Sequence, residues 1–354
     1  MGTYGRFTGL LPFSVGEWLI AAGVLLAASA LFLAAILGAG LLVTKVLKRQ
    51  LWKGLLRFTK GFYRFFAWVL AVVCLVMTLN CFILYHASTF SQHYFGEDDG
   101  EYSLEELLLL YNGIASECNR LEELMERDKA GTVLYGGSRT EMADEAIELM
   151  QQLGEEYPQL SGYYPRPKPL LSSDFMCQQH MQGYYFPFSM EANYNDVMYI
   201  LNIPATMCHE LAHLRGYIYE DEANFIGYLA CVQSENPFFQ YAGYLSVLNY
   251  VYNDLYKAWQ SNPAAFEEAA IRIEPVAVKE QVWIDNVFVT QEEWDRINGK
   301  ALLDTDTVDQ VTDVLVDANL KVNGIADGKV SYSRVVRLLL QYERSRLAVK
   351  SAVK

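Results

Sequence analysis

The stretch MCHELAHLRGYIYEDEANFIGYLAC, residues 207–231, places a glutamate and two histidines in the pattern His209-Glu210-x-x-His213. On an α-helix, residues four apart share a face, so the two imidazoles can point at one metal ion. Glu210 is rotated by about 100° from His209, where it can reach a water on that metal without being a ligand. The spacing therefore predicts a hydrolytic site with one Zn²⁺ ion and Glu210 as general base.

The neighbours of the motif predict that its helix is short and buried. Pro204 is tolerated in a first helical turn, Asn202 can cap the helix and Gly216 is a natural stop, which together delimit about 11 residues. The residues between the polar ones are apolar. Because unpaired polar groups are costly in an apolar environment, a buried His-Glu-His set indicates a metal or other polar partners.

The third protein ligand must come from outside this pentapeptide. Metzincins supply another histidine at the position that is Tyr219 here, so their pattern fails. The next residues, EDEAN, predict a second helix that folds back on the first. In gluzincins such a helix supplies a glutamate ligand and, four residues later, a side chain that orients a ligand imidazole. On that pattern Glu220 is the ligand and Asn224 its orienting partner. Glu222, which points to another helical face, remains the alternative ligand.

A hydrolase also needs a donor for the negative charge that develops on the substrate oxygen. Tyr241, Tyr244 and Arg215 are the candidates near the motif in sequence. The two tyrosines lie on an aromatic, leucine-rich helical face, so core packing is the competing interpretation for them.

Two long uncharged segments predict a membrane anchor. Residues 18–44 and 65–95 contain no Asp, Glu, Lys or Arg, and a transmembrane helix needs about 20 apolar residues. We expect spans over about 18–44 and 65–85, joined by a loop over 45–64. Core helices of a soluble domain would carry a polar face, which neither segment has.

The connecting loop predicts the orientation of the anchor. It carries seven Lys and Arg residues and no acid, and short basic loops stay cytoplasmic. The chain then divides into a two-pass anchor, residues 1–86, and an extracytoplasmic domain, residues 87–354, with both termini outside the cell membrane. Membrane lipid is the expected partner of the anchor, and the basic amphipathic loop would lie on the anionic inner leaflet.

Charge and cysteine content limit the partners and the cross-links. The formal net charge is −14 although the loop is basic, which argues against nucleic acid as a partner. Four cysteines fall in the exported part, and bridges Cys208–Cys231 or Cys118–Cys177 are possible in that compartment. Their spacing requires neither bridge, and free buried thiols are the favoured interpretation.

The exported part is predicted to be mainly helical. Residues 86–103 have the composition of a polar juxtamembrane linker. Ser103 and Glu106 form a capping box before one helix, and a second helix follows within 139–160, ended by Gly154 and Pro158. The C-terminal region also has helical periodicity.

One aromatic-rich segment predicts a small sheet. Residues 181–204 suggest one or two strands, with Pro187 confining the first to an edge or a bulge. Within them, FPFSMEANYN, residues 186–195, is a candidate for the edge strand along which zincins bind extended peptides. An ordinary aromatic loop is the competing interpretation.

Several segments carry a family resemblance. They are PKPLLSS (167–173), GYYFPFSMEANYN (183–195), PATMCHELAHLRGYIYEDEANFIGYLAC (204–231), YAGYLSVLNYVYNDL (241–255) and DANLKVNGIADGKVSYSRVVRLLL (317–340). With the paired N-terminal spans, they resemble the bacterial membrane proteins grouped as domain of unknown function 3810. The resemblance covers nearly the whole chain and implies a zincin-like His-Glu-x-x-His metal site. It makes the following Glu-Asp-Glu-Ala-Asn a family feature without saying which glutamate binds.

We therefore expect a membrane-anchored zinc metallopeptidase that hydrolyses extracytoplasmic peptides or envelope proteins. The expected architecture is a two-helix anchor plus a mainly-α, α+β zincin-like domain of the gluzincin type. The competing hypothesis is a non-catalytic envelope sensor or scaffold that keeps the metal for stability. Glu210 favours the enzyme, because a purely structural site would not need it.

Overall fold

The computed structural model describes residues 3–43, 49–96, 102–322 and 333–352. Within these ranges the chain is mostly helical, with one small sheet. The helices are α1 (Thr3–Thr8), α2 (Val15–Val43), α3 (Arg49–Met77), α4 (Phe90–Tyr94), α5 (Leu104–Glu122), α6 (Arg139–Glu156), α7 (Ser173–Gln178), α8 (Ile203–His213), α9 (Glu220–Val232), α10 (Pro237–Ser261), α11 (Pro263–Arg272), α12 (Glu280–Asp285), α13 (Gln291–Lys300), α14 (Thr305–Val322) and α15 (Ser333–Ala352). The strands are β1 (Lys168–Pro169), β2 (Gly183–Phe186) and β3 (Glu191–Tyr194), and shorter π and 3₁₀ segments cover Thr78–Phe82, Leu84–His86, Pro158–Leu160 and Ile200–Asn202.

Two helical stretches, Val15–Ala39 and Lys53–His86, are long and apolar enough to cross a membrane. Few or none of the residues in these stretches are buried, unlike those of a core helix in a soluble protein. The two helices contact each other where the Tyr63 hydroxyl donates a hydrogen bond to the carbonyl oxygen of Ala30 at 2.6 Å. The two expected spans are confirmed as helices of spanning length.

The helix of the second span begins before the expected span. α3 is continuous from Arg49, so the basic segment expected to connect the spans is helical from that residue onward. Leucines and Phe58 recur there at helical spacing and no proline interrupts them, so the helix extends into the basic segment. Residues 44–48, the rest of the expected loop, lie outside the described residues.

The sheet has the strand order β1-β3-β2. β1 runs parallel to β3, and β2 pairs antiparallel with β3, with Gly183 opposite Tyr194 and Phe186 opposite Glu191. Pro187 lies in the turn between β2 and β3, where no ladder hydrogen bond is needed from it. The predicted strands are therefore present, and β2 is at an edge of this sheet. The expectation that residues 186–195 form the edge strand is wrong, because this segment covers the end of β2, the turn and β3, and β3 is the central strand.

The expected polar linker over 86–103 is wrong in its central part. Phe90 is fully buried and begins the short helix α4, which Thr89 and Gln92 cap reciprocally. Its ring packs against Phe225 of α9 at 5.7 Å between ring centroids. The polar composition of this stretch concealed one aromatic residue that packs into the core.

The helix ends follow the sequence signals in most places. Ser103 and Glu106 form the predicted capping box of α5. Helix α6 continues through Gly154, which therefore does not end it, and stops at Glu156, two residues before Pro158. Asn202 does not cap α8 with its side chain, because its amide nitrogen donates instead to the carbonyl of Val287 at 2.8 Å. The helix nevertheless has the predicted 11 residues.

The core is built around α8 and α9, which the turn at Gly216 joins. Gly227 lets the two helices come together, because a Cβ atom there would lie only 2.9 Å from the carbonyl oxygen of Ala205. Helices α6, α10 and α15 pack against this pair, and α5 packs on α10 and α15. Cys118, Cys177, Cys208 and Cys231 are buried and free, as the favoured interpretation of the sequence has it.

The contact at Gly227 gives a first prediction. Gly227→Ala should destabilise the protein by about 1–3 kcal/mol, because the added methyl overpacks the α8–α9 contact. Gly113→Ala is the matched control: it lies in helix α5 with open space around its Cβ position, and should stabilise by about 0.5–1 kcal/mol. Thermal unfolding in detergent, followed by circular dichroism, checks both; equal shifts for the two variants would contradict the packing argument.

Candidate metal centre

Three side chains converge between α8 and α9. The Nε2 atoms of His209 and His213 lie 3.1 Å and 3.7 Å from the two carboxylate oxygens of Glu220. One ligand atom from each residue lies within 4.8 Å of the others, so the three side chains could hold one metal ion. The two histidines therefore lie on one face of α8, as their spacing in the sequence predicts.

The other ring nitrogen of each histidine has its own acceptor. Nδ1 of His209 lies 2.9 Å from Oδ1 of Asn224, and Nδ1 of His213 lies 2.7 Å from the carbonyl oxygen of Tyr217. Because a carbonyl oxygen only accepts, Nδ1 of each ring carries a proton. Burial lowers the pKa of His209, but the Glu220 carboxylate beside its Nε2 outweighs this effect and raises that pKa to about 9, so a metal ion would have to displace a proton from this Nε2. Burial also lowers the pKa of His213 to about 4, so its imidazole is neutral at physiological pH.

The two candidate glutamates point to different places. Glu220 is the first residue of α9 and faces the histidines, with nearly half of its side chain exposed. Glu222 is buried and its carboxylate accepts a hydrogen bond from the backbone N–H of Phe90 at 2.5 Å. Burial raises the pKa of Glu222 to about 8. The structure thus brings Glu220 to the histidines and uses Glu222 to hold α4 on α9.

Glu210 lies beside this cluster under strand β2. Its Oε1 atom is 2.8 Å from the position that a Cβ of Gly183 would occupy, so a side chain there would collide with the carboxylate. Its Oε2 atom is buried and has no hydrogen-bond partner among the described residues. Burial raises the pKa of Glu210 to about 8. A buried carboxyl oxygen aimed at no protein donor is suited to a proton-transfer role with a ligand.

The predicted oxyanion donors have their contacts elsewhere. The Tyr241 hydroxyl donates to Asp285 at 2.8 Å, which ties α10 to α12, and the Tyr244 ring packs on Tyr228 at 5.7 Å between centroids. The guanidinium of Arg215 lies over an aromatic ring, 5.0 Å from its centroid. The structure brings none of the three to the histidines.

The sequence motif did not indicate two residues that lie beside the histidines, Tyr217 and Tyr185. The Tyr217 carbonyl acts through its backbone, which any residue type could provide at that position. Tyr185 of β2 lies with its ring centroid 6.2 Å from that of His213, and only the pairing of β2 over α8 brings it there. The aromatic run around Tyr185 predicted a strand but not its place at the metal centre.

Comparison with known proteins gives a family but no activity. No curated protein and no solved structure is detectably similar to the chain. A family model described as "Protein of unknown function (DUF3810)" matches residues 1–340. The resemblance expected from the sequence is confirmed at that level, and the chain belongs to the DUF3810 family.

Proposed function

We propose that this protein is a membrane-anchored zinc metallopeptidase with a zincin-like catalytic domain. The observation that carries the proposal is the convergence of three ligand atoms, from His209, His213 and Glu220, next to the unpartnered carboxyl oxygen of Glu210. This is the donor set of a gluzincin centre together with the acid–base group that hydrolysis requires.

The residues fit a zinc ion in their chemistry. Two neutral imidazole nitrogens and one carboxylate are a ligand set typical of catalytic zinc, which leaves a fourth position for water or substrate. The Nδ1 contacts of both histidines fix the ring orientations, as the outer partners of metal ligands usually do. Asn224 takes the position that the gluzincin pattern assigns to an orienting residue.

A bound zinc ion would act as a Lewis acid that makes water nucleophilic near neutral pH and polarises the substrate carbonyl. The positive charge of that ion would favour the ionised form of Glu210, which takes a proton from the attacking water and returns it to the leaving nitrogen. Its burial and its place beneath β2 keep this carboxyl next to the peptide backbone of a bound substrate. The products are a free carboxylate and a free amine.

Strand β2 is the proposed binding edge for the substrate. It lies at one edge of the sheet and packs on α8, the helix that carries Glu210. An extended peptide can add to such an edge through main-chain hydrogen bonds. Because this recognition uses the backbone, peptide or protein substrates fit the cleft better than compact small molecules.

The anchor and its orientation are part of the proposal. Residues before the first span belong to the folded protein, since the buried hydroxyl of Thr8 donates to the carbonyl of Ser189 at 2.8 Å. A cleaved signal peptide would not make such contacts. With the basic segment between the spans in the cytoplasm, both termini and the catalytic domain lie on the outer side.

Replacement of the general base separates the enzyme from a metal-stabilised scaffold. Glu210→Gln should lower peptide hydrolysis by a factor of about 10²–10⁴ because it removes the proton acceptor. Bound zinc should stay unchanged, since Glu210 is not a ligand. The assay is cleavage of a denatured protein by the full chain in detergent, with zinc measured on the same sample. If Glu210→Gln retained its zinc and cleaved the substrate as fast as wild type, the peptidase mechanism would be contradicted.

The third ligand is tested by a pair of neighbouring variants. Glu220→Ala should lose most of the bound zinc, because it removes one of three protein ligands. Glu222→Ala is the matched control on the same helix and should keep zinc while lowering thermal stability, since it releases the N–H of Phe90. Metal analysis after dialysis measures the difference, and a loss in Glu222→Ala alone would reverse the assignment.

The orienting role of Asn224 gives a further prediction. Asn224→Ala should weaken zinc binding by about 10–100-fold, because His209 loses the acceptor of its Nδ1–H. Asn224→Asp keeps an acceptor oxygen at that point and should restore most of the affinity. Competition with a zinc chelator measures both variants; equal affinity in wild type and Asn224→Ala would show that the contact does not orient the ligand.

A further inference from the structure

The hairpin that borders the metal centre also contacts both membrane spans. The Asn80 side chain, near the end of the second span, donates to the carbonyl oxygen of Pro187 at 3.0 Å. The ring of Phe186 lies 2.9 Å from the Cβ position of Gly16, near the start of α2. The turn after β2 therefore sits against the ends of both spans.

The turn between α8 and α9 contacts the same end of the second span. Leu84 lies 3.4 Å from the Cβ position of Gly216, and the Tyr219 hydroxyl donates to the carbonyl oxygen of Tyr85 at 2.8 Å. Tyr219 immediately precedes Glu220. The proposed third ligand is therefore one residue away from a contact with the end of the second span.

Strand β2 runs from the proposed general base, Glu210, to the membrane helices. Gly183, beside Glu210, is three residues from Phe186, beside the start of α2. At about 3.3 Å per residue, this separation is on the order of 10 Å. A peptide paired along β2 and extended past Phe186 reaches the ends of both spans.

The domain also exposes large apolar side chains near the start of α2. Leu171 is 79% exposed, and its N–H donates to the carboxylate of Glu17, in the first turn of α2, at 3.0 Å. Four more exposed apolar residues precede this helix: Tyr4, Phe7, Leu10 and Phe13. Single exposed apolar residues are ordinary, but a group beside the end of a span fits the interfacial region of a bilayer. The domain then rests on the lipid surface.

We propose that the substrates are polypeptides held in the same membrane by their own transmembrane or acyl anchor, and that the cut falls within a few residues of that anchor. The inference rests on the proposed peptidase function and narrows it. Such a chain can lay its juxtamembrane segment along β2 without leaving the bilayer. Hydrolysis adds one water across the C–N bond, releasing the outer fragment and leaving a short anchored stub.

The test uses the full-length protein in lipid nanodiscs, which leave both membrane faces accessible. The probes are palmitoylated peptides in which one mixed-sequence segment is separated from the acyl chain by a Gly-Ser spacer of about 2, 10 or 20 residues. All three are equally concentrated on the disc, so a difference in rate reports distance from the anchor. Mass spectrometry locates each cut, and Glu210→Gln provides the background for every peptide.

The short spacer should give cleavage at least about tenfold faster than the longest one, with cuts clustered next to the anchor. Equal rates for all spacers, or a faster cut of the same segment without an acyl chain, would overturn the membrane-substrate inference and leave the peptidase intact. Cleavage that is equal in wild type and Glu210→Gln would instead remove the peptidase function itself, and this inference with it.

Discussion

The closeness of α8 and α9 is the constraint on which the candidate metal centre depends. Two helices approach this tightly only where a side chain is missing, and Gly227 supplies that gap against the backbone of α8. Because α9 is held there, Glu220 at its first turn faces both imidazoles. The same packing brings Asn224 to His209. The absence of a side chain at Gly227 thus determines the positions of both the proposed ligand Glu220 and its orienting partner Asn224.

A second framework of buried polar groups joins the hairpin to the first span. The carboxylate of Glu191, on β3, accepts hydrogen bonds from the backbone N–H groups of Val15 and Gly16 and pairs with the buried ammonium of Lys168. A carboxylate is favourable at this position, because the N-terminus of a helix carries partial positive charge and free N–H groups. The orientation of α2 and the position of the hairpin are therefore coupled through one residue.

Local patterns predicted the parts of the structure that depend on local geometry. The helical spacing of His209 and His213, the edge position of β2 and the capping box of α5 all follow from rules about neighbouring residues. Glu220 and Glu222 could not be ranked firmly, because their directions depend on where α9 docks. Tyr241 seemed a candidate only through sequence proximity, whereas its contact with Asp285 spans 44 residues.

Dependence on residues far away in the sequence also explains why the polar linker was predicted and the burial of Phe90 was not. A single aromatic residue among polar ones gives no periodic signal, yet its burial depends on α9 and on Glu222, more than 130 residues away. Long-range partners of this kind are set by the tertiary fold, which no window of sequence contains.

The bond between Glu191 and Gly16 also has a consequence for how the molecule is made. Its two ends are separated by 175 residues, so the first span leaves the ribosome long before its capping carboxylate exists. During that interval the N–H groups at the start of α2 must be satisfied by water or lipid headgroups. The β2–β3 hairpin can reach its final position only after both of the long apolar helices are in place. If the two helices span the membrane as proposed, the hairpin beside the candidate site would therefore be completed only after their insertion.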